Sequence, residues 1–213
     1  PGQNCEMLRE SIRFCASLEV EHISAYLLKI EPGTPFWQKK SSLNLPDEEE
    51  TSHLYLSACE ELEKLGYFQY EISNFARPGF EGRHNLKYWR CEEYLGLGPA
   101  AHSYLGGKRF YYPRDLEGFL AGNLPSEDGP GGSPEEFCML ALRLREGLSE
   151  EIFRNRYEAE GVFLPERFWK EASLLEKAGF CRIEGEEGKR VLSLTPRGFL
   201  VSNSVILELT ERI

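Results

Sequence analysis

The sequence predicts an α/β chain: βα units in the first half, then a smaller winged-helix-like α+β domain. Three observations carry this. A strand, helix, strand pattern runs from His22 to Ile72, a stretch dense in turn formers follows at 123–133, and beyond it come three amphipathic helices, a hairpin and a closing helix.

Taking the elements in order, His22-Ile-Ser-Ala-Tyr-Leu-Leu28 alternates Ile23, Ala25 and Leu27, the period of a half-buried strand. Glu31-Pro-Gly-Thr-Pro35 ends it. Pro46-Asp-Glu-Glu-Glu50 carries the acidic first turn of a helix start, and Leu54, Leu56, Ala58, Leu62 and Leu65 follow at mostly helical spacing until Gly66. Tyr67 to Ile72 is the next strand. Strand, helix, strand reads as a βαβ unit, whose parallel pairing sends both C-terminal strand ends to one face. The segment Ser73–Trp89 is then expected to leave that face, where ligands bind in βα-barrels and open α/β sheets.

That segment holds the densest chemistry in the chain. Arg83-His84-Asn85-Leu86-Lys87-Tyr88-Trp89 packs an imidazole, an amide, a phenol and an indole into six residues, 84–89. A buried imidazole ligates metals or shuttles protons, and the ring faces of Tyr88 and Trp89 suit a planar apolar ligand. From the residues alone, a hydrogen-bonded histidine beside core aromatics explains the cluster equally well. Arg77, Arg83 and Lys87 are candidate partners for carboxylates, or simply bases on a solvated loop. Tyr94-Leu-Gly-Leu-Gly-Pro-Ala-Ala-His-Ser103 reads as a third apolar run whose small residues let a backbone or ligand approach. It lacks the frame of a dinucleotide fingerprint, and His102 at its end is a candidate contact or a satisfied histidine under a loop.

Beyond the turn-rich stretch, Pro134–Arg145 is an amphipathic helix capped by Ser133, Ser149–Tyr157 begins another, and Pro165–Lys177 makes a third, ended by Gly179. Phe180–Ile183 and Val191–Leu194 form a hairpin across Glu184–Lys189, and a last helix runs from Thr195 to Leu209. A winged helix raises DNA binding, with 165–177 entering the major groove. That helix balances its charges and the wing tip Glu184–Glu187 is acidic, so phosphates would be repelled.

Composition agrees. The 213 residues carry 25 Lys plus Arg against 35 Asp plus Glu, a net charge of −10, which argues against nucleic-acid backbone binding. No apolar run is long enough for a membrane span, and the chain reads as soluble and cytoplasmic. The six cysteines, at scattered spacing, read as free thiols of a reducing compartment.

Glu21-His-Ile-Ser-Ala-Tyr26, Glu31-Pro-Gly-Thr-Pro-Phe36, Tyr70-Glu-Ile-Ser-Asn-Phe-Ala-Arg-Pro-Gly79, Arg83–Trp89 and Tyr94-Leu-Gly-Leu-Gly98 together resemble the radical SAM family of oxygen-independent coproporphyrinogen III oxidase-like proteins, most nearly its HemW-type haem chaperone branch. The resemblance implies that residues 1–122 are the C-terminal βα units of a partial TIM-like barrel, 123–133 a linker and 134–213 the winged-helix-like domain. Pro1-Gly2-Gln3 matches a tract midway through such a barrel, so the chain is expected to be a C-terminal portion. The family's Cys-x3-Cys-x2-Cys loop for a 4Fe-4S cluster is absent here, and Cys5, Cys15, Cys59, Cys91, Cys138 and Cys181 cannot form it.

The resemblance therefore implies a cluster and S-adenosylmethionine in the full-length protein only, and no oxidoreductase activity for this stretch alone. It links His84, Asn85, Tyr88 and Trp89 to haem, with His84 a candidate axial ligand, and places Tyr26, Lys29 and His102 near S-adenosylmethionine. The implied function is haem binding and transfer to an acceptor haemoprotein; the alternative is oxygen-independent coproporphyrinogen III oxidation in porphyrin biosynthesis. Gly82, where relatives often carry Cys or Ser, removes a donor beside His84, and Gly98-Pro99-Ala100-Ala101 replaces a more glycine-rich tract.

Overall fold

The structure is a computed structural model that describes residues 1–211 and 213. The chain forms two compact units, one of residues 1–81 with 196–200, the other of 82–195 with 201–213. Each mixes helix and strand, as the α/β pattern predicts.

In the first unit α1 (Cys5–Ser17) is capped by the Asn4 side chain, which accepts from Met7 N–H. β1 (His22–Ser24) and the short α2 (Pro35–Gln38) follow. α3 (Glu48–Lys64) opens on a complete capping box, in which Asp47 accepts from Glu50 N–H at 2.8 Å and the Glu50 carboxylate accepts from Asp47 N–H at 3.1 Å. Its Tyr55, Ala58, Cys59 and Leu62 are buried, and α1 packs on it. Then come β2 (Phe68–Gln69) and β3 (Asn74–Ala76).

Here the structure corrects the predicted βαβ unit. β1 and β2 do run parallel to one another, but they do not pair: β3 lies between them, antiparallel to both, in the order β1-β3-β2. The cause is a turn inside the predicted strand 67–72. The Tyr70 amide bonds Asn74 O at 3.1 Å, and the Glu71 carboxylate, 1% exposed, accepts from the Ser73 amide at 3.3 Å and from the Asn74 side chain. An acidic side chain that satisfies the amides two and three residues on folds the chain back, where alternation alone reads it as continuing.

Two consequences follow. β1 stops at Ser24, because its partner is only three residues long, and Ala25 N–H to Ser73 O at 2.8 Å is the last rung. The predicted strand to Leu28 continues instead as unpaired chain with Tyr26, Leu27 and Leu28 exposed. The chain also leaves the sheet beside the starts of β1 and β2, with Arg77 N–H on Glu21 O at 2.9 Å. Residues after Ala76 therefore depart from the strand-entry end, the reverse of the face expected for 73–89.

The second unit begins with α4 (Arg83–Trp89), followed by β4 (His102–Leu105), β5 (Lys108–Tyr111), α5 (Leu116–Leu120) and β6 (Ser126–Pro130). β4, β5 and β6 form an antiparallel sheet in that order. The run Tyr94–Ser103 is not a strand; it touches the sheet through one isolated bridge, Tyr94 to Tyr104. Gly96 is needed there because a Cβ would strike the His102 carbonyl, so the small residues admit the chain's own backbone. The stretch 123–133, expected to be a linker, contributes β6.

α6 (Pro134–Ala141), β7 (Leu148–Ser149), α7 (Glu150–Tyr157), α8 (Glu166–Lys177), β8 (Cys181–Glu184) and β9 (Val191–Leu194) come next. They supply the three helices and the hairpin that the sequence predicts, with β7 added as a third strand in the order β7-β9-β8. The helix predicted to reach Arg145 ends at Ala141. The closing helix is broken at Val201 into α9 (Pro196–Leu200), which belongs to the first unit, and α10 (Ser202–Thr210). Phe137, Leu142, Leu148, Phe153, Phe168 and Leu192 are among the core residues, each at most 4% exposed. Burial contributes roughly 1.5–3 kcal/mol for each such side chain. Among the described residues no helix is long and apolar enough to cross a membrane.

Candidate functional site

α4 places its side chains by the helical repeat: His84 and Tyr88 lie four residues apart on one face, Asn85 and Trp89 four apart on the next. His84 Nε2 and the Tyr88 hydroxyl are 2.6 Å apart, and their rings meet edge-on with centroids at 4.8 Å. Tyr88 in turn sits edge-on to Tyr94 at 4.4 Å. The four residues carried over from the family are thus brought onto one short helix. His84 itself is exposed, while Tyr88 one turn on is half-buried.

Tyr88 lines an open cleft of about 380 Å³ whose walls include Trp89, Cys91, Tyr94, Arg109 and Glu136; His84 is not among the lining residues. Trp89 is half-buried with the Arg143 guanidinium 5.8 Å from its ring, and its indole N–H has no hydrogen-bond acceptor among the described residues. Arg109 is fixed rather than free: Nη2 lies 2.5 Å from Glu136, Nη1 donates to the Tyr94 hydroxyl at 3.3 Å, and the guanidinium lies over Tyr104 at 4.7 Å. Burial pushes the Cys91 thiol up, so it stays protonated. Arg156 holds this wall by donating to the Cys91 carbonyl at 2.8 Å.

Of the three bases singled out in the sequence, Arg83 and Lys87 are exposed on α4. Arg77 belongs to the first unit, where it stacks on Tyr67 at 4.9 Å. Arg109 and Glu136 are cleft residues that the sequence reading missed. Nothing local marks them, since they reach the cleft only through the pairing of β5 and the cap of α6.

Tyr26 and Lys29 line a separate cleft of about 440 Å³ within the first unit, with Ala25, Leu27, Tyr55 and Phe75. Lys29 pairs with Glu31 at 2.8 Å, and that hydrogen bond holds its ammonium pKa above the usual range. His102 belongs to the second unit. It opens β4, is exposed rather than tucked under a loop, stacks on Tyr111 at 5.1 Å and lies 4.0 Å from Asp128. Among the described residues no group of three or more His, Cys, Asp or Glu side chains could hold a metal ion.

No family profile matches the chain. Curated proteins do. The chain is 36% identical over 177 residues to "Heme chaperone HemW" of Bacillus subtilis, covering 76% of the chain and 46% of that protein. It is 40% identical over 161 residues to the protein of the same name from Synechocystis, covering 70% and 39%. To "Radical S-adenosyl methionine domain-containing protein 1, mitochondrial" of Danio rerio it is 30% identical over 221 residues, covering 95% of the chain and 47% of that protein. The chain thus spans about half the length of the curated relatives it matches, or less. Among solved structures, the coproporphyrinogen III oxidase HemN of Escherichia coli, a radical SAM enzyme, superposes over 100% of this chain and 53% of its own with a TM-score of 0.70 at 17% identity, a likeness of fold. Taken with the motif series from Glu21 to Gly98, these likenesses make the chain a member of the HemW-type, coproporphyrinogen III oxidase-like family of radical SAM proteins.

Proposed function

We propose that this protein binds haem at α4 and the adjoining cleft, and that its full-length form passes haem to an acceptor haemoprotein. The observation that carries this is the 2.6 Å His84–Tyr88 pair at the rim of an aromatic-walled cleft, on the one helix that bears all four carried-over residues. The chemistry fits the group: imidazole and phenol are both iron donors, and the rings of Tyr88, Trp89 and Tyr94 suit the face of a macrocycle. The buried indole N–H of Trp89, lacking an acceptor among the described residues, is a polar group that a bound ligand would satisfy. Arg83 and Lys87 are exposed bases on α4 itself that suit carboxylate side chains of the ligand. Relatives named haem chaperones support the reading.

In the full-length protein, S-adenosylmethionine and a 4Fe-4S cluster would be held by the portion that supplies the three-cysteine loop, with Tyr26 and Lys29 contributing from the cleft of the first unit. The cluster would supply the electron that cleaves S-adenosylmethionine. The acidic charge and neutral α8 support a protein that takes no nucleic acid partner.

The test is titration with haem of the 213-residue chain, then of His84→Ala and Trp89→Ala. Both substitutions are expected to weaken binding by roughly tenfold or more, tenfold being the scale of one lost hydrogen bond to a charged or metal-bound group, and Trp89→Ala to alter the absorption spectrum as well. Unchanged affinity and spectrum in both would remove α4 from the site.

A further inference from the structure

We propose that the axial donor to ferric haem is the Tyr88 oxygen, with His84 as its hydrogen-bond partner, rather than His84 itself. This rests on the haem reading above and deepens it. Three features of the cleft point the same way. Tyr88 is among the residues that line the cleft and His84 is not, so of the two donors Tyr88 is the one that borders the space a ligand would occupy. The outer ring nitrogen of His84, Nε2, is already engaged by the phenol at 2.6 Å, so iron at that nitrogen would first have to break the pair. Cys91, the only sulfur-bearing residue of the cleft wall among the described residues, is 2% exposed and so poorly placed to reach iron.

The edge-on packing of Tyr88 on Tyr94 at 4.4 Å and on His84 at 4.8 Å holds the phenol from two sides, which fixes the direction of its oxygen. Iron(III) is a hard cation, and phenolate is a hard anionic donor known among haem ligands. On binding, the phenol O–H bond breaks, its proton passes to His84 Nε2, and an oxygen lone pair forms the bond to iron. No electron is transferred. His84 is a positioning residue in this arrangement.

The test is a ferric haem titration of the 213-residue chain, with Tyr88→Phe and His84→Gln read by absorbance and resonance Raman, and folding checked by circular dichroism. The unsubstituted chain is expected to show a phenolate–iron charge-transfer signature. Tyr88→Phe, which keeps the ring packing, should abolish that signature and weaken binding roughly tenfold. His84→Gln should keep the signature with weaker binding. Reduction with dithionite should lower affinity, because iron(II) has less preference for an anionic oxygen. An imidazole-type spectrum that survives Tyr88→Phe and disappears in His84→Gln would overturn the assignment while leaving haem binding intact. Failure of the unsubstituted chain to bind ferric haem would overturn the haem reading and this assignment together.

Discussion

Two carboxylates, one buried and one half-buried, respond to pH in opposite senses. Burial holds Glu71 above the usual carboxyl range despite the amides that lower it. A carboxyl raised on folding stabilises below its unfolded pKa, and that stability is lost as pH rises through the folded value. Glu71→Gln keeps an acceptor for Asn74 and is therefore expected to raise the melting temperature at pH 7 relative to the unsubstituted protein, with the gap closing at acid pH. Equal melting temperatures at both pH values would show that Glu71 is not strained by burial. Glu150 is the converse: hydrogen bonds from Arg190, first among its causes, hold its pKa down, so its contribution is present at neutral pH and lost as pH falls through the folded value.

The thiols divide in the same way. Burial pushes Cys181 up to about 12, and Cys59, Cys91 and Cys138 are buried too, whereas Cys5 and Cys15 are half-exposed. Brief alkylation of the folded protein at pH 8 is expected to label Cys5 and Cys15 and spare the other four, as read by peptide mass. Fast labelling of Cys91 would mean that the cleft wall beside Tyr88 opens readily.

At the scale of elements, local chemistry was legible wherever it was self-contained. The acidic first turn of α3 and the Ser133 and Ser149 caps are cap and charge signals that act within one turn. Asp47→Ala is expected to cost about 1 kcal/mol of stability in a urea unfolding series, while a cost near zero would show the cap to be replaced by solvent. What escaped was the pairing of short strands. Alternation in 22–28 and 67–72 gives no sign that β3 inserts between β1 and β2, because the turn is made by a single acidic side chain, Glu71, inside an apolar run. The glycine- and proline-rich tract 123–133 was read as a linker because its composition is that of turns, yet four of its residues, Ser126, Glu127, Gly129 and Pro130, pair with β5 across a bulge. The site followed the same rule: the cluster of His84, Asn85, Tyr88 and Trp89 was visible in the sequence, but not that a helix carries it, and Arg109 and Glu136 reach the cleft through tertiary pairing that no local pattern encodes.

For the molecule as a whole, the family assignment and the two-unit organisation set what this chain contributes. The second unit carries α4 with its cleft, and the first carries the cleft lined by Tyr26 and Lys29. With a net charge of −10, duplex DNA is expected to show no binding at physiological salt in an anisotropy titration. Saturable, salt-sensitive binding would reopen the groove-binding reading of α8. Unit 1 depends on the α3 core, so Leu62→Ala, at a position 0% exposed, should cost about 2–5 kcal/mol.

The central claim, that haem sits against α4, is tested most directly by the proton–nitrogen spectrum of the indole groups as ferric haem is added. The Trp89 indole signal is expected to broaden beyond detection at one equivalent of haem, because the paramagnetic iron lies close to that ring. A Trp89 signal that stays sharp and unshifted at saturating haem would contradict the account.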